Sequence, residues 1–435
     1  MTEKNNKSTI RGWTMYDWAK SGYETTVLGV FLAPFFINVV VGEGNKLNYF
    51  GRDFTGGEVF AFASSFAIFI FFIIYPTIGA IADYSGNRMK YFKVFAYAGG
   101  FMTLTYYFVT TGDVVLTLLI YFLAQLFAVG SNVFYDSVLK DITTEDTIDE
   151  VSAKGYGLGY IGGGLQLILS IAVWMLLGQT EFSTKLAMML AGIWWIVWSI
   201  YSFKNIKVSE LKGVKLPNGY FNYGWRRNLN TLRKIKKYPQ MLTFIVAYIF
   251  YWDGSQTVIT QAANFFTEVL KLDQTSIIII FLIVQFVAFF GAILASKLAR
   301  KYGVKNTIIF TTFLFFIAGN AAAFEIIIPE SSLIPVIILG IVVGLGMGGL
   351  QSLSRSAYAS MLPEGSEGEF MGFFSVISKF SAMWGPFIYG AVSNFTGNAR
   401  LSLPAISLFF LIGIFLINKV DFEKAKITKE EWAAS

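Results

Sequence analysis

The chain has 435 residues, of which 55% are hydrophobic and 14% are charged, and its net charge is +6. Soluble globular proteins carry about 25% charged residues, so this composition indicates a membrane protein. Cysteine and histidine are both missing from the sequence. Disulfides, thiolate nucleophiles and histidine general bases are therefore excluded, and haem and ordinary zinc sites are disfavoured. We expect no cofactor, no metal and no enzymatic activity.

Apolar runs of about 20 residues predict the membrane-spanning helices. Twelve such runs are found, near residues 13–41, 58–82, 91–111, 114–139, 151–177, 185–203, 240–267, 275–298, 306–327, 333–361, 369–394 and 400–418. The predicted fold class is therefore an all-α membrane protein with twelve transmembrane helices in a lipid bilayer. The polar start of the chain runs into a segment long enough to span, so no cleavable signal peptide is expected.

The distribution of positive charge predicts the orientation. If both termini are cytoplasmic, 25 Lys and Arg residues fall in cytoplasmic segments and five in external ones. Because cytoplasmic loops carry the excess of Lys and Arg, this arrangement is favoured. The net positive charge then follows topology, and no nucleic-acid partner is expected. We expect a bacterial cytoplasmic membrane, or a vacuolar membrane if the source is eukaryotic.

Two segments half a chain apart repeat one design. Asn132–Gly164 and Gly349–Gly390 each read as a helix, an acidic turn and a second helix, at an offset of about 217 residues. Six spans per half is an even number, so both halves enter the membrane in the same sense, as in parallel repeats. The predicted domains are two six-helix bundles at 1–203 and 240–435, joined by a cytoplasmic linker at 204–239. A monomer is expected.

The linker contains a basic segment, Tyr223–Tyr238. Leu229, Leu232 and Ile235 recur there at helical spacing among six cations. This pattern predicts an amphipathic helix on the inner leaflet of the membrane. A plain solvated linker is the alternative.

The loop after the second span has the pattern G-x-x-x-D-x-x-G-x-R, with Gly79, Asp83, Gly86 and Arg88 at its fixed positions. This is the loop signature of the major facilitator superfamily. We expect Gly79 to allow close helix approach, Gly86 to permit a tight turn, and Asp83 to accept hydrogen bonds from Arg88 and from a helix amino end. Such a loop can gate the cytoplasmic side. Alternatively, Asp83 only caps a turn.

Polar side chains form stripes on the first and seventh spans. Asp17, Lys20 or Ser21, and Glu24 lie three or four residues apart in the first, and Asp253, Thr257, Thr260 or Gln261, Asn264 and Glu268 do so in the seventh, where Gln256 is a further candidate. Residues at these spacings share a helix face. Lipid cannot satisfy polar groups, so both stripes must face protein or water. We expect Glu24 and Asp253 to face a common cavity.

Further polar and charged side chains interrupt the fourth, tenth and eleventh spans. They are Asp136, Gln351, Arg355 and Lys379. A charged residue at the centre of a spanning helix costs about 2.5–3.5 kcal/mol on insertion scales, which suggests a functional role. Our hypothesis is that an acid among Glu24, Asp136 and Asp253 takes up a proton while Arg355 or Lys379 exchanges partner. The alternative is static ion pairing that only aligns helices, and Asp17 and Asp136 could simply be solvated at the cytoplasmic edge.

Three glycines recur every fourth residue in the fifth span, at Gly155, Gly159 and Gly163. Such a strip favours close helix contact. A phosphate-binding loop is rejected because neither a preceding strand nor a Lys-Ser/Thr ending is present.

Several motifs together resemble the autophagy-related vacuolar amino-acid effluxer family and its bacterial relatives within the major facilitator superfamily. They are Trp13–Ser21, Phe134–Asp136, Ser152–Gly164, Gln351–Ser356 continuing through Glu369–Phe373, Lys379, and Gly385-Pro386. The chain departs from the family at Lys20, where an uncharged Asn is usual, and in the acidic turn Asp141–Glu150. Lys20 can neutralise Asp17 or Glu24, so the family's ligand chemistry does not transfer directly.

The resemblance implies a secondary transporter that exports a small polar solute, such as an amino acid, coupled to protons or another ion. The residues agree in outline, because a zwitterion needs both an acid and a base. A non-transporting membrane sensor or scaffold on the same fold is the alternative. An intramembrane hydrolase is disfavoured, since no spacing singles out an Asp pair or a Ser-Lys dyad.

Overall fold

The computed structural model describes residues 3–42, 44–144, 147–208, 219–324, 327–362 and 367–425. This part of the chain is helical apart from one short hairpin. The helices are α1 Lys7–Gly22, α2 Leu32–Phe35, α3 Gly56–Tyr84, α4 Arg88–Leu104, α5 Val114–Ile142, α6 Ile148–Leu176, α7 Glu181–Asn205, α8 Gly219–Ile235, α9 Pro239–Glu268, α10 Gln274–Tyr302, α11 Val304–Ala323, α12 Leu333–Ser360, α13 Glu367–Ser381, α14 Trp384–Thr396 and α15 Ser402–Asn418. Short 3₁₀ turns follow α4 and precede α15.

Nine helical segments in the described ranges are long and apolar enough to cross a bilayer. The prediction of an all-α membrane protein is confirmed. The three other predicted spans also coincide with helices. They are the 17-residue α4, the polar-striped α9, and the eleventh span, which the structure divides into α13 and α14 around Ala382 and Met383.

The first span is one continuous helical segment of 36 residues, Lys7–Gly42. Asn6 caps its start by accepting hydrogen bonds from the amides of Ser8 and Thr9. Two stretches, Tyr23–Phe31 and Phe36–Gly42, are wound as π-helix. Such windings are rare and occur most often at functional sites. The first of them begins at the residue before Glu24.

A two-stranded hairpin follows the first span, which the sequence reading did not predict. Strands β1 Lys46–Tyr49 and β2 Arg52–Thr55 pair antiparallel, with Tyr49 opposite Arg52. Phe50 and Gly51 form the turn and both have positive φ, at 54° and 75°. Positive φ at both central residues is the geometry of a type I′ turn, whose twist matches that of the strands.

The chain divides into two compact units. The first comprises Met1–Gly56 and Ile73–Trp225, and the second comprises Gly57–Phe72 and Arg226–Ser435. Helices α3 and α8 therefore each contribute to both units. The predicted domain boundaries at 203, 204–239 and 240 stay a prediction.

In the first unit, α1 packs on α6 and α7, and α4 packs on α5 and α7. The core between them is aromatic. Tyr16 meets Phe92 edge to face at 4.6 Å, and Tyr23 stacks on Trp195 at 5.4 Å between ring centroids. A methyl group at Gly99 would collide with the Trp195 ring, so this indole is accommodated because position 99 lacks a side chain.

In the second unit, α10 packs on α12 and α9 packs on α15. Gly348 of α12 lies directly against the backbone of Ala288, and Gly291 of α10 lies against that of Leu345. Small residues at the interface let the two backbones approach closely, as is usual in membrane helix pairs. A second contact area surrounds Tyr248, whose ring centroid lies 4.4 Å from that of Phe374.

Candidate functional site

The polar stripe of the first span contains an ion pair in the first unit. Lys20 Nζ lies 2.6 Å from Glu24 Oε1. The two side chains differ in exposure, with 4% for Lys20 and 45% for Glu24. The spacing of four residues predicted a shared helix face, and the structure brings the two groups into contact. Lys20 is therefore a buried cation whose partner is accessible from outside the helix packing.

Asp17 lies on the same stripe, within electrostatic range of Lys20 and Glu24. Its Oδ2 accepts a hydrogen bond from the Tyr135 hydroxyl at 3.4 Å. Trp13 holds Tyr135 in place, because the two rings stack at 4.1 Å and the Trp13 indole N–H donates to the Tyr135 carbonyl at 2.9 Å. The first span and α5 thus build one polar site with a fixed aromatic wall.

The glycine strip of α6 lies against this stripe. A methyl group at Gly159 would lie 2.9 Å from Ser21 Oγ, and one at Gly155 would lie 2.8 Å from the Tyr135 hydroxyl. Both distances are too short for a side chain. The glycines at these positions therefore allow the polar face of α1 to approach α6.

Asp136 is exposed on α5 and lies within electrostatic range of Lys20. Lys154 is exposed at the corresponding end of α6. Both residues interact with other groups of the protein. The structure therefore brings Asp17, Lys20, Glu24 and Asp136 together in one unit.

The predicted gating loop joins α3 to α4, and its gating role stays a prediction. Gly86 has φ of 70°, as a tight turn requires. No atom of the described residues lies within 4 Å of a methyl group placed at Gly79, and the close helix approach expected there stays a prediction. Arg88 is buried, pairs with Asp141 and donates to the Ser137 carbonyl at 3.2 Å. These contacts join the start of α4 to the end of α5. The predicted acceptor Asp83 has a side chain outside the described set.

Asp253 on α9 has a different environment in the second unit. Its side chain is 2% exposed, and its two carboxylate oxygens accept from the Gly385 amide at 2.9 and 3.1 Å. Gly385 is the second residue of α14, so the carboxylate meets the positive end of that helix dipole. Asp253 therefore caps the helix that begins after the break in the eleventh span.

Further along α9, polar side chains hold the start of α3. Glu268 Oε1 accepts from the Gly57 amide at 2.7 Å, and Asn264 Nδ2 donates to the Gly57 carbonyl at 2.9 Å. Asn264 Nδ2 also donates to Gln261 Oε1 at 3.1 Å. Asp253, Asn264 and Glu268 of the stripe predicted on the seventh span thus bind the backbones of other helices.

The next residue of α3 binds the other side of the unit. Glu58, 5% exposed, accepts from Ser393 Oγ at 3.0 Å and from Asn394 Nδ2 at 3.2 Å. The first turn of α3 is therefore held by α9 through Gly57 and by α14 through Glu58. The sequence analysis did not predict the contacts of Gly57 and Glu58, and it placed Glu268 only in a polar stripe.

The remaining predicted site residues are less constrained by described contacts. Gln256, Gln351 and Arg355 are half-buried, and the last two have partners in the protein. Lys379 has a side chain outside the described set. The prediction that Glu24 and Asp253 face one cavity stays a prediction.

Two features of the site had a signal in the sequence that was not used. Gly385-Pro386 inside an apolar run marks a helix start, since proline is tolerated in a first turn and disrupts a helix interior. Tyr135 was noted only for its place in a motif. Its contact with Asp17 joins residues 118 positions apart, which spacing alone does not reveal.

Comparison with known proteins identifies the family. Residues 5–430 match the family described as "Vacuole effluxer Atg22 like". The chain belongs to this family. It is 31% identical to the uncharacterized MFS-type transporter YxiO of Bacillus subtilis (strain 168) over 418 residues, which is 94% of each chain. The resemblance inferred from the sequence is confirmed.

A fungal relative matches over a smaller part of its length. Autophagy-related protein 22 of Cryptococcus neoformans var. neoformans serotype D (strain B-3501A) is 25% identical over 311 residues, or 66% of this chain and 55% of the relative. The chain thus aligns with about half of that protein.

Solved structures support the same fold. The nucleoside transporter NupG gives a TM-score of 0.66 at 12% identity, with 95% of this chain and 98% of the other covered. The xylose transporter XylE from E. coli gives 0.67 at 11% identity, covering 96% and 98%. The protein is a multi-pass membrane transporter of the major facilitator type.

Proposed function

We propose that the protein is a secondary active transporter that exports a small polar solute by alternating access, in exchange for protons. The observation that carries this proposal is the Lys20–Glu24 pair, in which a buried ammonium group is matched to a half-exposed carboxylate. A solute can reach Glu24 without first displacing the helix packing that surrounds Lys20. The pair can therefore change partner without unfolding the site.

The charge around Lys20 favours a solute that carries an ammonium group. Asp17, Glu24 and Asp136 all lie within its electrostatic range. A proton and a solute cation both neutralise a carboxylate, so they compete if they use Glu24 in turn. Such competition at one group produces exchange, because binding of one partner releases the other.

An amino acid fits this chemistry, since its ammonium group can replace that of Lys20 as the partner of Glu24. The family description names an effluxer, which supports export. One proton moving down a membrane potential supplies about 2.3 kcal/mol per 100 mV, enough for roughly a fiftyfold solute gradient.

The same proposal includes the organisation and location of the chain. We place both termini in the cytoplasm and the protein in a cell membrane as a monomer. The two six-helix repeats alternate the access of the solute between the two sides. The excess of Lys and Arg in the predicted cytoplasmic segments supports this orientation.

The test uses the full-length protein in liposomes. Each labelled amino acid is added to the external solution, and its uptake into the liposomes is measured with and without an imposed pH gradient. We expect at least one amino acid to exchange and its flux to follow the gradient. Glu24→Gln is expected to lose the response to the gradient, because an amide takes up no proton at these pH values.

The outcomes separate the candidate functions. Gradient-driven flux in Glu24→Gln equal to that of the natural chain would refute coupling at this residue. Ligand binding seen as a rise in thermal stability, with no exchange or net flux for the same amino acid, would instead support a sensor or scaffold. Exchange that ignores the gradient in the natural chain would indicate a uniporter or exchanger.

A further inference from the structure

Helix α8 has a basic outer face that no part of the transport proposal uses. In its second half, Arg226, Leu229 and Arg233 lie at spacings of three and four residues and are all exposed. Residues at these spacings share one helix face. Lys234, Lys236 and Lys237 continue the positive charge past the end of the helix and are exposed as well. We call Arg226, Leu229 and Arg233, with these lysines, the basic face.

The opposite side of the same half-helix is fixed in the protein. Thr231 and Ile235 are fully buried, and Ile235 belongs to the apolar core that includes Met241 and Phe244. The basic face therefore has a set orientation relative to the second unit. A solvated linker, the alternative left open by the sequence, would have no buried side.

The outer face of α8 also carries an exposed apolar side chain, that of Leu229. The sequence pattern grouped Leu229 with Leu232 and Ile235 on one apolar side. The structure buries Ile235, packs Leu232 partly against the core, and leaves Leu229 47% exposed between Arg226 and Arg233. An apolar side chain flanked by two guanidinium groups matches a ligand with an anionic head and an apolar body.

The helix dipole explains only part of this charge. Cations in the last turn of a helix stabilise it by meeting the negative end of the dipole. Arg233 and Lys234 lie in that turn of α8. Arg226 lies two turns earlier, beyond the range of this effect.

We propose that the basic face of α8 binds the headgroup of an anionic phospholipid. Arginine binds phosphate through two parallel hydrogen bonds, and clusters of cations beside membrane helices attract anionic lipids. Leu229 contacts the glycerol and acyl region of the same lipid. This site is separate from the solute site and adds a lipid requirement to the protein.

The test measures lipid binding to the full-length protein directly. Because the chain has no cysteine, Phe221→Cys at an exposed position of α8 can carry a single environment-sensitive dye. The detergent-solubilised protein is titrated with short-chain phosphatidylglycerol and, in parallel, with short-chain phosphatidylcholine. We expect a saturable blue shift with phosphatidylglycerol only, weakened by added salt.

Two double variants make the result specific. Arg226→Gln with Arg233→Gln is expected to weaken phosphatidylglycerol binding by about fivefold per cation removed, which is about 25-fold in all. Lys297→Gln with Arg300→Gln removes two exposed cations near the end of α10 and is expected to change binding by less than about twofold. Both pairs are exposed, so unchanged gel-filtration and melting profiles check that both variants fold.

Other ligands give outcomes that overturn the proposal. A blue shift of equal size with inorganic phosphate would mean that the face binds free phosphate. A shift with soluble polyglutamate and none with phosphatidylglycerol would indicate an acidic protein partner. Equal weakening by the two double variants would mean that only overall charge matters.

Discussion

The two units place buried charge in different kinds of contact. In the first unit, Lys20 and Glu24 meet side chain to side chain within one helix, and Glu24 is 45% exposed. In the second unit, Asp253 is 2% exposed and accepts a hydrogen bond from the backbone amide of Gly385 in α14. We propose that the first arrangement exchanges its partner for a solute or a proton, whereas the second stabilises a helix end. The corresponding spans of the two predicted repeats would then differ in role.

The difference follows from the surroundings of each carboxylate. A carboxylate whose two oxygens share one fixed amide at a helix start weakens that contact if it moves or takes up a proton. Asp253 is in that position through Gly385. Glu24 binds the ammonium group of Lys20, which also lies within electrostatic range of Asp17, so Lys20 keeps a counterion when Glu24 takes a new partner.

The largest expected effect is on transport, from Lys20→Met. This change removes the cation on which Asp17 and Glu24 converge, so solute flux in liposomes should fall at least about tenfold. Lys185→Met is the matched control, since Lys185 also pairs with the residue four positions earlier, Glu181, at 2.5 Å. Control flux should stay within about twofold. Similar losses in both variants would mean that pairing within a helix, and not this site, matters.

The next effect concerns the helix break in the second unit. A methyl group in Gly385→Ala would collide with the Thr257 hydroxyl, which lies beside Asp253. We expect a loss of about 2–3 kcal/mol in the free energy of unfolding in mixed micelles, as is usual for overpacked sites. Thr257→Ala should recover part of that loss in the double variant. No recovery would show that the two positions are not in contact.

Removal of the cap itself should cost somewhat less. Asp253→Ala leaves the buried Gly385 amide without its carboxylate acceptor, and the expected loss is about 2 kcal/mol of unfolding free energy. Asp253→Asn keeps one oxygen acceptor and should lose less than half as much. Equal losses in the two variants would indicate that the negative charge, and not the hydrogen bond, stabilises α14.

The smallest expected effect concerns Asp273, an exposed helix cap that contrasts with the buried cap formed by Asp253. Asp273 caps α10, accepting from the Ser276 amide at 3.0 Å and from its hydroxyl at 2.6 Å. Partial burial raises the pKa of Asp273, but the bonds from Ser276 outweigh it, and the net pKa is lowered. Asp273→Ala should cost about 1 kcal/mol at neutral pH.

The pH dependence of that effect has a definite sign. Because the pKa of Asp273 is lower in the folded state, its stabilisation is present above the unfolded pKa and is lost as the pH falls through the folded one. The difference between Asp273→Ala and the natural chain should therefore shrink in acid. A difference that grows in acid would contradict the assignment of Asp273 as a charged cap.

Local spacing predicted much of the fold and part of the site. Apolar runs located the spans because the bilayer fixes their length. The Lys20–Glu24 contact followed from helical periodicity, which brings residues four apart together. The basic segment at 223–238 was likewise expected to be a helix, and α8 covers most of it.

The spacing of residues along the sequence could not predict contacts between distant residues. The Asp253–Gly385 bond joins positions 132 apart, and the Glu58–Ser393 bond joins positions 335 apart. Both depend on which helices pack together, which a single sequence does not specify. The π-helical winding near Glu24 depends in the same way on how the first span fits its neighbours.

We propose that the exchangeable charge lies in the first unit and a structural carboxylate lies in the second. The most direct measurement compares Glu24→Gln with Asp253→Asn in liposomes, recording the flux driven by one imposed pH gradient at matched protein amounts. The account predicts that Asp253→Asn keeps its response to the gradient and that Glu24→Gln loses it. The reverse result, with the response lost in Asp253→Asn and kept in Glu24→Gln, would contradict it.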